Sequence, residues 1–357
     1  MGKISAVICE LNPAHEGHKY IFDCAGKYGD IVIAIMSGNY VQRGENAIYD
    51  KYIRAESALD IGADLVVELP FPWSCASAEY FAAAATHIAV CLGVDYLVFG
   101  SECGNKDVLY KAADILKQEQ FNQTLPGKER AAEVRERMLK NEDPSLPEDL
   151  LSSSNDILGI EYIKNSKNME CVPVKRISCD SATAIRNKIN ENLVKYPMAV
   201  SSEKLFDLEY IKFRLALDKE FTTAECNGGV GSRLYKAACK ASNGLEMLDS
   251  AKTKQYTDAR LRRCALYYLM NNEAERLKES PLFTQVLAFN DKGREVLSSL
   301  RKKTDISILT KPSAYESLTE KAKKQVKNSH FADSVYTLLS NSYVDKDYFI
   351  KKSPIKK

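Results

Sequence analysis

Along the first half of the chain, short apolar runs alternate with longer amphipathic stretches. Five runs read as strands: Ile4–Glu10, Asp30–Met36, Asp64–Leu69, Asp95–Phe99 and Cys171–Ile177. Each is rich in Val, Ile or Leu without clean alternation, the pattern of strands covered on both faces. Between them, His18–Lys27, Lys51–Ile61 and Ala78–Leu92 carry helical spacing. The last contains FAAAATHIA, whose small residues allow close packing on a sheet. Strand–helix alternation with short connections predicts a doubly wound, parallel α/β sheet. Ligands of such sheets sit at the carboxyl ends of the strands.

Lys106–Glu148 is polar and helical in pattern, with breaks at Pro126, Gly127, Pro144 and Pro147. After about residue 190 the pattern changes. Residues 195–340 show helical periodicity and few strand signals, with loops at 227–232 and 242–244. The expectation is a catalytic α/β domain over 1–194 and a helical domain over 195–357. The final KKSPIKK reads as a frayed basic tail.

Composition narrows the class. Hydrophobic residues make up 45% and charged residues 27% of 357, which excludes a disordered chain or a fibre. No run is long and apolar enough to span a membrane, and the N-terminus lacks a signal-peptide core. A soluble cytoplasmic protein is expected. None of the ten cysteines has C-x-x-C spacing, so they read as reduced core residues. Charge is uneven. Residues 1–194 hold 20 basic against 28 acidic side chains, whereas 195–357 hold 30 against 20. A basic second half suits a polyanion such as nucleic acid.

The strongest chemical signal is ELNPAHEGHKYIF at 10–22, placed between the first strand and the first helix. Asn12 and Pro13 make the turn, Gly17 lets a ligand approach the backbone, and His15 and His18 stand one helical turn apart. The helix N-terminus favours phosphate, and two imidazoles can donate to phosphoryl oxygens as charge develops. With only four histidines in the chain, chance produces H-x-G-H at roughly 0.2%, too rarely to dismiss the motif as composition. No third ligand has zinc-site spacing, and no metal site is expected. The chain also lacks a P-loop, a dinucleotide fingerprint and a G-x-S-x-G elbow. A second candidate, SATAIRNKI at 181–189, follows the last strand. Ser181 can cap the next helix, and Ser181, Thr183 and Arg186 can grip phosphate.

Together these motifs resemble the HIGH-type nucleotidyltransferase superfamily. SGNYVQRGENA, DKYIRAESALDIGADLVVELPF, SAEYFAAAA, YLVFGSE, SNDILGIEY, KTKQYTDARLRR and VLAFNDKGREVL occur in order beside them. The chain therefore resembles the bacterial tRNA(Met) cytidine acetate ligase family. It carries Ala14 and Glu16 where that family usually has Phe and Asn, and only ISCD separates Arg176 from Ser181, a shorter interval than the family's.

The resemblance implies a Rossmann-like fold of the HIGH type with a C-terminal α-helical domain. It implies that ATP activates acetate as acetyl-adenylate, and that the wobble cytidine of elongator tRNA(Met) receives the acetyl group as N4-acetylcytidine. His15 and His18 would be catalytic. The ATP site would comprise Val7, Ile8, Cys9, Glu10, Leu11, Asn12, Pro13, Ala14, His15, Glu16, Gly17, His18, Lys19 and Tyr20, with Gly100, Asn155, Arg176, Ser181 and Thr183. Lys252, Lys254, Arg260 and Arg263 would hold tRNA, with Arg262, Lys292 and Arg294 widening the patch. Mg²⁺ normally accompanies the ATP phosphates. Two other readings suit the same residues. One is an adenylyltransferase acting on a phosphorylated cofactor precursor. The other is a non-catalytic RNA-binding protein with a relic nucleotide fold.

Overall fold

All five apolar runs are strands in the computed structural model, which describes residues 2–118, 131–148, 150–217, 220–300, 304–340 and 343–357. They are β1 (Ile4–Cys9), β2 (Ile31–Ser37), β5 (Leu65–Leu69), β6 (Tyr96–Ser101) and β7 (Glu170–Lys175). A small antiparallel hairpin, β3 (Tyr40–Val41) with β4 (Glu45–Asn46), follows β2. The second half adds β8 (Phe283–Phe289), β9 (Ser307–Leu309) and β10 (Ile355–Lys356). The helices are α1 (Glu16–Ala25), α2 (Lys51–Asp60), α3 (Ala78–Cys91), α4 (Lys106–Leu116), α5 (Ala131–Glu142), α6 (Ser154–Asn165), α7 (Ala182–Asn190), α8 (Glu203–Arg214), α9 (Val230–Ala238), α10 (Gly244–Ala251), α11 (Asp258–Leu269), α12 (Glu275–Lys278), α13 (Asp291–Leu300), α14 (Glu320–Leu339) and α15 (Tyr348–Lys351). Of the breaks expected in the polar stretch, Pro126 and Gly127 lie outside the described residues.

The main sheet runs in the order β10-β8-β5-β2-β1-β6-β7, with β9 on β8. The strands from β5 to β7 are parallel, and every residue of β2 is buried because helices cover both faces. Two expectations about the second half are corrected. Residues 203–278 are helical as read, but Phe283–Phe289 returns to the sheet as β8, antiparallel to β5. The terminal KKSPIKK is not frayed. Ile355 and Lys356 pair with β8, and the Lys357 ammonium reaches Asp60 and Glu56.

One buried cation ties the late chain to the early chain. The Lys51 ammonium, fully buried at the start of α2, lies 2.8 Å from Glu68 on β5 and 2.7 Å from Asp333 on α14. Burial alone would discharge it, but the two carboxylates outweigh that cost and raise its pKa. Asn39 donates to Asp333 and accepts the Lys51 backbone N–H, both at 2.8 Å. Gly38 leaves the space that Glu68 occupies, since a Cβ there would lie 2.3 Å from Glu68 Oε1.

On the same helix, Asp50 and Arg54 stand four residues apart but do not pair. Asp50 instead caps α2 by accepting from Tyr52 and Ile53 N–H. The buried Arg54 guanidinium donates to the carbonyls of Tyr49, Glu10, Ser37 and Gly38, clasping the ends of β1 and β2.

Replacing Lys51 by Met leaves two buried carboxylates without their cation, and a loss of about 3–5 kcal/mol is expected. The urea unfolding midpoint reads it. A change below about 1 kcal/mol, the worth of an exposed pair, would show that this triad does not hold the halves together.

Candidate functional site

β1 ends at Cys9, and the chain then turns sharply. Leu11 adopts φ 47, a left-handed conformation that costs a residue with a Cβ about 1–2 kcal/mol, and complete burial of its side chain holds it there. A cis Asn12–Pro13 peptide follows. Asn12 accepts the Ile48 N–H at 2.8 Å, tying this turn to the segment before α2.

The turn delivers His15 to the N-cap of α1, where its Nδ1 accepts the Gly17 N–H at 3.1 Å. His18 Nδ1 accepts the His15 N–H at 3.3 Å, completing a capping box made of two histidines. The rings lie 3.9 Å apart between centroids and are tilted by 42°. Because each Nδ1 accepts a backbone N–H, each neutral ring carries its proton on Nε2. Burial, then the charge of Arg176, lowers the pKa of His15. Burial, then His15 and Arg176, pushes His18 down to about 3. At neutral pH the pair is thus uncharged and presents two N–H donors beside a helix N-terminus, an arrangement suited to phosphoryl oxygens. A Cβ on Gly17 would lie 2.9 Å from His15 Cε1 and 3.0 Å from Cys179 Sγ, so glycine keeps this contact open.

The carboxyl ends of β6 and β7 supply the next wall. Arg176 pairs with Glu102 at 3.0 Å, and Asn155 on α6 donates to the same Glu102 oxygen at 2.7 Å. Burial would raise the Glu102 carboxyl, but Asn155 and Arg176 hold it below its usual range. Ser101 and the Cys103 N–H bind the buried Asp156, which fixes the turn after β6. A Cβ at Gly100 would meet Arg176 and Ile21 at ordinary contact distances of 3.5 and 3.6 Å. The protein itself therefore does not exclude a side chain there. Glu102 and Asp156 were missed as site residues, although both lie inside the motifs YLVFGSE and SNDILGIEY.

Ser181 caps α7 through the Ala184 N–H at 3.1 Å. Arg186 donates to the Asn12 carbonyl at 2.7 Å and to Thr183 Oγ1 at 3.0 Å, fastening α7 against the turn that carries His15. Cys179, in the short interval before α7, lies 3.9 Å from His15 Nδ1. The structure thus gathers Asn12, Arg176, Cys179 and Thr183 around the histidine turn.

Within Val7–Tyr20, the side chains of Val7, Cys9 and Leu11 are buried in the core. The Glu10 carboxylate accepts the Gln42 N–H at 2.8 Å, and Lys19 pairs with Asp23 at 3.1 Å. Ile8, Ala14 and Tyr20 pack partly against the core, Pro13 is half-buried, and Glu16 is exposed.

The residues expected to hold tRNA are less uniform. Arg263 is largely buried and pairs with Glu225 at 3.1 Å. Arg260 shares Glu225, donates to Asn227 and lies over the Tyr256 ring. Lys252 pairs with Asp249 at 2.7 Å and Asp258 at 3.4 Å. Lys254 is exposed. Arg262 turns inward to Glu45 on β4, and Gly44 (φ 75) abuts the Arg263 backbone so closely that a Cβ would sit 2.5 Å from its nitrogen. Lys292 and Arg294 do not widen this patch. Lys292 reaches the Asp30 carbonyl at the amino end of β2, and Arg294 pairs with Asp291.

Among the described residues, no three His, Cys, Asp or Glu side chains gather as a metal site, and no helix is long and apolar enough to cross a membrane. The ten cysteines are free thiols.

A family model described as HIGH Nucleotidyl Transferase matches residues 2–349. The tRNA(Met) cytidine acetate ligase of Caldanaerobacter subterraneus subsp. tengcongensis is 34% identical over 387 residues, which cover 94% of this chain and 95% of that one. The protein of the same name from Clostridium tetani is 32% identical over 413 residues, covering 99% and 100%. The crystal structure of Thermotoga maritima TmcAL bound with alpha-thio ATP superposes with a TM-score of 0.92 at 28% identity, covering 99% of each chain. Its apo form gives 0.90.

The depressed pKa of His18 predicts a pH effect. The unfolded chain takes up this proton near pH 6.5 and the folded chain only near pH 3. Stability from this group is therefore complete above about 6.5 and falls as pH is lowered toward 3. His18→Gln removes that dependence. The difference in urea midpoint between pH 7 and 4.5 should be smaller in the variant than in the parent, and an identical difference would count against a buried neutral His18.

Proposed function

The chain belongs to the HIGH nucleotidyl transferase family and, within it, to the tRNA(Met) cytidine acetate ligases, and from that membership we propose an ATP-dependent activation of acetate followed by acetyl transfer to the wobble cytidine of elongator tRNA(Met). The observation that carries the proposal is the His15–His18 pair, two neutral Nε2–H donors at the amino end of α1. In the first step an acetate oxygen bonds to the α-phosphorus of ATP, the bond to the β-phosphate breaks, and pyrophosphate leaves with the electron pair. Negative charge grows on the phosphoryl oxygens, and donors already oriented by backbone N–H groups meet it without reorganising. In the second step the exocyclic amine of the cytidine attacks the acetyl carbon, loses a proton, and AMP departs. The product is N4-acetylcytidine.

The remaining residues take roles consistent with their positions. Arg176 and the first turn of α7, with Ser181 and Thr183, would receive phosphate. Asn155 and Gly100 would face the nucleoside at the ends of α6 and β6. The segment Val7–Tyr20 would form the floor of the site, largely through its backbone. Residues 1–194 would supply the catalytic chemistry and 195–357 the tRNA grip, with β8 returning to the catalytic sheet. Lys252, Lys254 and Arg260 would contact the RNA backbone. Arg263 would act through Glu225 to position Arg260.

Incubation with ATP, radiolabelled acetate and bacterial tRNA, then digestion of the RNA, should yield labelled N4-acetylcytidine that depends on ATP. His18→Ala should lower kcat/KM about 10²–10³-fold, the worth of one oxyanion-type donor. Absence of label from folded, ATP-binding protein would contradict the proposal, as would full activity in His18→Ala. Arg260→Ala should weaken tRNA binding and reduce the slope of log K against log salt by about one, measured by filter binding across a salt series. An unchanged slope would remove Arg260 from the RNA surface.

A further inference from the structure

A cavity of ≈ 290 Å³ opens where β8, β9, the segment 310–316, α14 and the chain after α15 meet. It is separate from the histidine turn. β8 is three strands from β1, about 14 Å across the sheet at the usual spacing. Its volume is just below the roughly 300–1,000 Å³ of sites for drug-sized ligands, which suits a smaller molecule.

The chemistry of its wall is one-sided. Lys311, Lys327 and Lys352 line it, against the single carboxylate of Glu316. Among the described residues, no ion pair engages Lys311 or Lys327. Lys352 is held in place, its ammonium 4.6 and 4.8 Å from the centroids of Tyr52 and Tyr348. Three ammonium groups against one carboxylate leave a surplus of two positive charges. A phosphate monoester, nearly a dianion at neutral pH, matches that surplus, whereas a carboxylate meets half of it.

The rest of the wall favours a flat body attached to that phosphate. Leu309, Val326 and the Tyr315 ring form an apolar side. His330 faces the cavity as a hydrogen-bonding group without charge, since burial holds its pKa down to about 4. Gln285, anchored through its Nε2 to Tyr52 Oη at 3.0 Å, adds a polar edge.

We propose that this cavity is a second ligand site, for a small phosphate monoester with a flat ring, the chemistry of a mononucleotide. A free small molecule fits better than a stretch of RNA. Four segments of chain enclose the volume, it holds about one such molecule, and Glu316 at its edge repels a continuous polyanion.

The test uses the full chain, with and without saturating ATP, which fills the nucleotide site proposed at the histidine turn. 1-Naphthyl phosphate is titrated and followed by its own fluorescence, with 1-naphthol and inorganic phosphate as controls. Saturable binding of one molecule per chain is expected, at least tenfold tighter than either control. The Lys311→Ala/Lys327→Ala double variant should weaken it at least tenfold while leaving ATP affinity unchanged. Both lysines are exposed, so the variant is expected to fold, and its circular dichroism and melting temperature check this. Equal binding by parent and folded variant would overturn the proposal, as would no saturable binding to the protein either with or without ATP. A variant that loses tRNA affinity but keeps naphthyl phosphate binding would overturn it in favour of an RNA-binding surface.

Discussion

The contact on which most of this structure depends is the Lys51 ammonium held between Glu68 and Asp333. A buried cation is costly unless its partners are close and fixed, so its position constrains three elements at once. It sets the amino end of α2 against the carboxyl end of β5, and it brings α14 from the far end of the chain onto both. With α2 so placed, Arg54 reaches the carbonyls at the ends of β1 and β2. The turn through Leu11, Asn12 and Pro13 starts from that clasp, and it carries His15 and His18. The geometry of the histidine pair thus traces back to an ion cluster contributed by both halves of the chain.

The histidine pair illustrates how a fold can build charge-free donors at a helix N-terminus. A helix N-terminus, Arg176 and a second imidazole all disfavour protonation, and burial does so most. The rings remain neutral over the physiological range, while the backbone N–H of His15 and of Gly17 settle which nitrogen bears the proton. Positive charge is left to the guanidinium groups of Arg176 and Arg186. Arg186 both fastens α7 to the Asn12 carbonyl and stands beside the same turn. Donors and charges are thereby divided between different residues, each locked by its own hydrogen bonds.

Much of this was legible in the sequence. The apolar runs located every strand from β1 to β7 apart from the two-residue hairpin: β1, β2, β5 and β6 leave an almost unbroken hydrophobic record because they are buried on both faces, while the edge strand β7 is buried only at its centre. H-x-G-H stood out because histidine is rare in this chain. β8 escaped notice because FTQVLAF is mixed in polarity and set among helices, although Pro281 and Asn290 bracket it as turn residues. The docked terminus was unreadable because its pairing with β8 is non-local. Local charge patterns misled in a consistent way. Asp50 and Arg54 have pair spacing, yet one caps a helix and the other binds carbonyls. Arg262 and Arg263 look like an exposed basic stripe, yet they turn inward to Glu45 and Glu225, contributed by distant segments. Spacing reports which residues are neighbours on one element. It does not report which partner the rest of the chain will bring.

The central claim is that the two neutral histidines stabilise charge at the α-phosphate while acetate displaces pyrophosphate. Its most direct test is isotope exchange between labelled pyrophosphate and ATP, with acetate present and tRNA absent, in the parent protein and in His18→Ala. The account predicts exchange that requires acetate and falls at least a hundredfold in the variant, with ATP affinity little changed. Exchange that ignores acetate, or that survives intact without His18, would contradict it.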